Sequence, residues 1–152
     1  MTSPFYLIAW LVVQDGSGRV LLGRRDGTSY MNGLWGLPGG RVERGEALMA
    51  AAVREAEEEV GLKIETASLK ALGVSRFDID GMQGTDFLFL TYEWAGEPTP
   101  LDKTSETGWF APGALPDDCL PWLPTVLNAH LKRGAWLTEQ LDGLAGVQVL
   151  SP

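Results

Sequence analysis

The chain has 152 residues, 45% of them apolar and 21% charged, the balance of an ordinary globular domain and not of a disordered or low-complexity one. Its net charge of −8 argues against a long nucleic-acid footprint, which needs a basic face. Cys119 is its one cysteine, which excludes an intramolecular disulfide and suits a reducing, cytoplasmic setting.

The apolar run Phe5–Val13 is too short to cross a bilayer, and it lacks the basic flank and small-residue cleavage site of a signal peptide. It reads as a buried strand. Asp-Gly-Ser-Gly and a second apolar run follow, so residues 5–25 predict a β-hairpin. Residues 26–33 form a polar, glycine-punctuated loop, and residues 34–42, LWGLPGGRV, suggest short strand pieces around a tight turn. Residues 46–60, EALMAAAVREAEEEV, are rich in good helix formers, and Gly61 stands where a C-terminal glycine would stop the helix.

Two further strands follow around DGMQGT, then a loop over residues 95–108, a short strand, and a helix running to about Lys132. The tail from Gly134 leaves its state open. The turn DIDGMQG has a calcium-loop flavour but lacks the later acids that such a loop needs. No repeat or linker divides the chain, so residues 1–152 are expected to form one domain of strands covered by helices.

The helix carries the chemistry. At about 100° per residue, Met49, Ala52, Val53, Ala56 and Val60 form the core stripe, and Glu55, Glu58 and Glu59 gather beside it. Arg54 and Glu57 point toward solvent. Acids spaced three and four apart cost roughly 0.2–0.5 kcal/mol per pair, and the helix C-terminus is the wrong end of the dipole for anions. A cluster that opposes local physics is a candidate site, and hard cations such as Mg²⁺ take carboxylate and carbonyl oxygens.

From Gly40 the order is Gly, five residues, Glu46, seven residues, Arg54-Glu55, two residues, Glu58-Glu59, Val60, Gly61. This resembles the Nudix box, the signature of the Nudix hydrolase superfamily, over Gly40–Leu62. Seven fixed residue types at fixed spacing arise by chance on the order of once in 10⁸ windows. Ala56 departs softly, standing where a larger aliphatic residue is usual.

The resemblance implies an α/β/α sandwich with a mixed β-sheet, and hydrolysis of a small nucleotide at its diphosphate, with Mg²⁺ or Mn²⁺ as cofactor. It implies Glu58 and Glu59 as metal ligands, Glu55 as a further ligand or general base, and a carbonyl from Gly39 or Gly40. Arg54 would orient the glutamates, and Glu46 would cap or orient the loop. Glu106 is the expected additional acid beyond the box, with Asp102 its competitor. Of Arg24 and Arg25 only one can face the cleft, and Arg25 is favoured as the phosphate ligand. Trp35, Tyr30, Phe77, Trp109 and Trp122 could supply a base-stacking platform. Guanine-sanitising members carry an asparagine before a late proline where this chain has Trp122 or Leu123. His130 and Cys119 read as structural. The expected partner is a small nucleotide, with no membrane and no long nucleic acid, and a homodimer stays open.

Overall fold

A computed structural model describes residues 4–150. Strand β1 (Phe5–Val13) is second from one edge of a six-stranded sheet. On one side it pairs in parallel with β6 (Met82–Thr91), and on the other it pairs antiparallel with β4 (Gly39–Arg41). Strand β5 (Lys70–Ile79) joins β6 through a two-residue turn, Asp80-Gly81, with φ of 54° and 78°. Positive φ at both central residues is what a tight hairpin matching strand twist requires. Beyond β5 lie β8 (Leu137–Leu141), parallel to it, and β9 (Gln148–Val149). A second, three-stranded sheet has the order β3 (Trp35–Gly36), β2 (Val20–Arg25), β7 (Thr104–Phe110).

The first hairpin is therefore corrected. A bridge between Gln14 and Val20 closes its turn, but the strands then part into different sheets. Ala9 to Val13 and Val20 to Leu22 are all buried. Both runs are apolar on both faces, and each is covered by different partners rather than by its neighbour.

The large sheet separates two helical layers. Odd-numbered β1 residues Ala9, Leu11 and Val13 pack with Ala51, Ala52, Ala56 and Val60 of α1 (Leu48–Val60). Even-numbered Trp10 and Val12 pack with Leu123, Val126 and Leu127 of α2 (Leu123–Leu127), which continues as one π-helical turn, Asn128–Lys132. This is the expected α/β/α sandwich with a mixed sheet. Period-two alternation in β1 sends one set of side chains to each layer. Among the described residues no helix is long and apolar enough to cross a membrane.

Candidate active site

Helix α1 begins at Leu48, not Glu46, and Ala47 provides no side-chain cap. Glu46 lies in the turn before it, where its carboxylate accepts the Glu43 N–H at 3.0 Å. Its stronger partner is Arg54, whose Nε and second guanidinium nitrogen donate to its two oxygens at 2.7 and 3.0 Å. That paired geometry is the strong form of carboxylate recognition, and it holds Glu46 down to about 2.

Arg54 does not point to solvent, which corrects the helical-wheel expectation. It is half-buried, and its remaining donors reach Glu55 at 3.0 Å, Glu58 at 3.2 Å and the Arg41 carbonyl at 3.1 Å. A long side chain at the margin of the apolar stripe can turn back along the helix, which a wheel of Cα positions does not show. One guanidinium thus joins the turn before the helix, strand β4 and two helix glutamates.

The three acids sit in different surroundings. Glu58 is exposed, with 47% of its side chain accessible. Glu55 is half-buried against β4: a Cβ on Gly40 would lie 2.6 Å from its carboxyl carbon. A side chain there would displace the carboxylate from this position. Burial raises the Glu55 pKa, against the pull of Arg54. Glu59 reaches furthest inward and accepts the Gly39 N–H at 2.8 Å. Burial pushes it up to about 8, with Glu55 adding repulsion and Gly39 and Arg25 opposing it.

The β1–β4 register separates the two glycines. Leu11 N–H donates to the Pro38 carbonyl and Val42 N–H to the Leu7 carbonyl, so Gly40, opposite Ala9, turns its peptide groups into the ladder. Gly39, opposite Trp10, turns its own away, toward Glu59. Its other face packs on Trp10, where an added Cβ would strike the Ala9 carbonyl oxygen and come within 2.6 Å of the indole.

The wrong-end-of-the-dipole problem has a backbone answer. Thr99, Leu101 and Asp102 donate their N–H groups to the carbonyls of Val60, Glu59 and Glu58 at 2.9, 2.9 and 3.0 Å. Gly61, at φ 72°, closes the helix by donating to the Glu57 carbonyl. Unpaired last-turn carbonyls are the source of the negative pole, and here neighbouring peptides cover them.

Strand β2 sends its two arginines to opposite sides. Arg25 donates from Nε to the Tyr30 carbonyl at 3.0 Å, lies over the Tyr30 ring and sits in the field of Glu59. Arg24 turns to Glu106 at 3.3 Å and Asp118 at 3.1 Å. Glu106 is a strand residue of β7, not a loop residue, and faces Arg24 in register. The structure does not bring it to the helix glutamates. Asp102 lies nearer, acting on Glu59.

Among the described residues no three His, Cys, Asp or Glu side chains converge into a closed metal cluster; Glu55 and Glu58 are both paired with Arg54. Of the aromatic candidates, Trp109 pairs with Trp94 and Trp35 with Phe110, while Tyr30 accepts a hydrogen bond from the Trp122 indole at 3.2 Å. His130 is buried, hydrogen-bonded to the Ala135 carbonyl and to Thr138, and Cys119 is buried and free.

Comparison with known proteins bears on the family and the fold. The NUDIX domain family matches residues 5–129. A Proteus vulgaris 8-oxo-dGTP diphosphatase is 34% identical over 101 residues, covering 66% of this chain and 88% of that protein. A Mycobacterium tuberculosis relative is 35% identical over 107 residues, 68% of this chain but 49% of its own length. The chain thus spans about half of that relative. The crystal structure of a MutT NUDIX hydrolase from Burkholderia pseudomallei superposes with a TM-score of 0.73 at 29% identity, covering 82% of this chain and 97% of that one. The chain belongs to the Nudix hydrolase family.

Proposed function

We propose that this enzyme hydrolyses the diphosphate bond of a small nucleotide, either a nucleoside triphosphate or a nucleoside diphosphate linked to another moiety, with Mg²⁺ or Mn²⁺ as cofactor. The observation that supports this most directly is the Arg54 network, which orders Glu55 and Glu58 beside Glu59 on one edge of α1. The donor set suits a hard cation: three carboxylates, a peptide carbonyl turned off the ladder, and a glycine whose missing Cβ leaves room for Glu55. Glu55, Glu58, Glu59 and the Gly39 carbonyl would hold it. When bound, such a cation neutralises phosphate oxygens and makes water more acidic.

The chain's own groups do the rest. Arg25 binds a phosphate oxygen of the substrate, at the end of a strand and within the field of Glu59. Arg54 fixes the glutamate rotamers. Glu55, raised by burial, takes the proton of the attacking water as its oxygen bonds to phosphorus. The bridging P–O bond breaks, and its electron pair leaves on the departing phosphate. Local cations at Arg25 and the metal edge offset the global charge of −8.

The test is phosphate or pyrophosphate release from nucleoside triphosphates, including 8-oxo-dGTP, and from nucleotide sugars and dinucleoside polyphosphates, with each cation. Glu58→Gln and Glu59→Gln are run beside the wild type. Turnover of at least one substrate and its loss in both variants are expected. Unchanged activity in both variants removes the metal edge, and no turnover by the wild type removes the enzymatic reading.

A further inference from the structure

On the α2 side of the sheet the buried polar side chains form a row. Thr138 of β8 faces Ser75 of β5, and Ser75 faces Asp86 of β6. His130 bonds Thr138 at 2.8 Å, and Thr138 bonds Ser75 at 2.8 Å. Those three members satisfy one another. Asp86 is different. It is 8% exposed, and its Oδ1 accepts the Trp10 indole N–H at 2.9 Å. Its Oδ2 has no protein partner among the described residues. Yet among those residues no side-chain nitrogen or oxygen shut off from solvent is left unpaired. Oδ2 is therefore the atom through which this carboxyl reaches the outside.

The Trp10 indole that holds Oδ1 belongs to an aromatic line connected to the phosphate end of the site. The Trp10 and Trp122 rings lie 5.4 Å apart, the Trp122 indole donates to the Tyr30 hydroxyl at 3.2 Å, and Arg25 lies over the Tyr30 ring at 5.4 Å. An unbroken line of contacts runs from the proposed phosphate ligand through Tyr30, Trp122 and Trp10 to Asp86. Trp10 also packs on Gly39, whose N–H holds Glu59. Rings that flank a buried carboxyl with one free oxygen are what a planar heterocycle needs: faces to stack on and one edge partner to orient it.

We infer that Asp86 reads the edge of the substrate's nucleobase through Oδ2, with Tyr30 and Trp122 as the stacking walls, and so determines base specificity. This rests on the nucleotide reading above. Burial lifts the carboxyl to about 7, against the Trp10 N–H, so the acid is available in its neutral form near neutral pH. A base that covers Oδ2 removes its remaining water and favours that form further. Held by Trp10 at Oδ1, the neutral acid offers one outward O–H donor at Oδ2, a match for an acceptor on a base edge.

Asp86→Asn preserves both features, since the amide oxygen accepts from Trp10 and the amide nitrogen donates outward. Asp86→Leu removes them at similar size. Two readouts are taken: steady-state kcat and KM on the nucleotide panel, and binding of nucleoside monophosphates against ribose 5-phosphate, which lacks the base, followed by tryptophan fluorescence. Folding is checked by circular dichroism and thermal melting. Expected are nucleoside monophosphate binding at least 10-fold tighter than that of ribose 5-phosphate, near-wild-type KM in Asp86→Asn, and a 10- to 100-fold rise in KM with kcat within about 3-fold in Asp86→Leu. A folded Asp86→Leu that keeps the wild-type KM and base preference overturns the inference while leaving the hydrolase reading intact. Absence of turnover with base-dependent binding retained, and lost in Asp86→Leu, does the reverse. Equal binding of ribose 5-phosphate and every nucleoside monophosphate by the wild type also overturns the inference.

Discussion

Glu59, half-buried, and Asp86, buried, are carboxyls each held by a single N–H donor, on opposite sides of the same β1–β4 edge. Burial raises both, to about 8 and about 7. Their settings nevertheless differ in kind. Glu59 lives among charges: Glu55, Arg25 and Asp102 all act on it. Asp86 is governed by burial and one indole. A carboxyl in a field of charges is suited to meeting a cation and to proton transfer. One in an apolar, aromatic setting is suited to recognition by hydrogen bonding. The same group is thus directed to different work by its neighbours.

The sharpest way to separate the two is to delete each charge in turn. Glu59→Gln should lower kcat by about 10²–10⁴-fold with a small change in KM, measured by initial rates at saturating cation. Asp86→Leu should show the converse pattern. If both variants lose kcat alone, the division between chemistry and recognition is wrong.

Gly39 stands between the two sides, so Gly39→Ala should damage both together. Its Cβ would meet the Ala9 carbonyl and Trp10, and overpacking of that kind costs about 1–3 kcal/mol. A lowered denaturation midpoint with kcat down and KM up is the expected combination.

Titration gives a further separation. In cation-free protein both groups hold protons when folded that the unfolded chain releases near pH 4. Their contribution to stability is therefore complete below about pH 4 and is lost as pH rises through about 7 for Asp86 and about 8 for Glu59. At about 1.4 kcal/mol per unit of displacement, the loss should be visible as a falling melting temperature with chelator present. Asp86→Asn should make the fall below about pH 7 shallower, and Glu59→Gln should also remove the part that continues to about pH 8.

The smallest effect expected is at Arg54. Arg54→Lys keeps the charge but loses the paired contact with Glu46, and should cost about 1–2 kcal/mol in stability and roughly tenfold in kcat, measured by melting and initial rates.

Much of the acidic edge of α1 was legible in the sequence because helical periodicity and a fixed spacing act locally. Glu55, Glu58 and Glu59 fall beside the core stripe by rotation alone. What the sequence hid depends on distant partners. Strands β1 and β2 read as a hairpin because the turn is local, whereas their separation is decided by β4, β6 and β7. Glu106 read as a loop acid because nothing nearby announces that β7 pairs with Arg24. The tail read as open because β8 finds its place only beside β5. Asp86 was missed, although parity could have found it: it shares the buried face of β6 with Leu88 and Leu90, where an acid is out of place.

The donors that cover the end of α1 come from Thr99, Leu101 and Asp102, while Pro98 and Pro100, which have no N–H to give, flank the first of them. The two prolines stiffen the start of the segment. Its contribution resides in peptide groups, so nineteen residue types could occupy each donor position and still supply the N–H. Proline alone could not. Such a cap leaves no side-chain signature in the sequence, and the acidic helix end stays covered whatever side chains the donor positions carry.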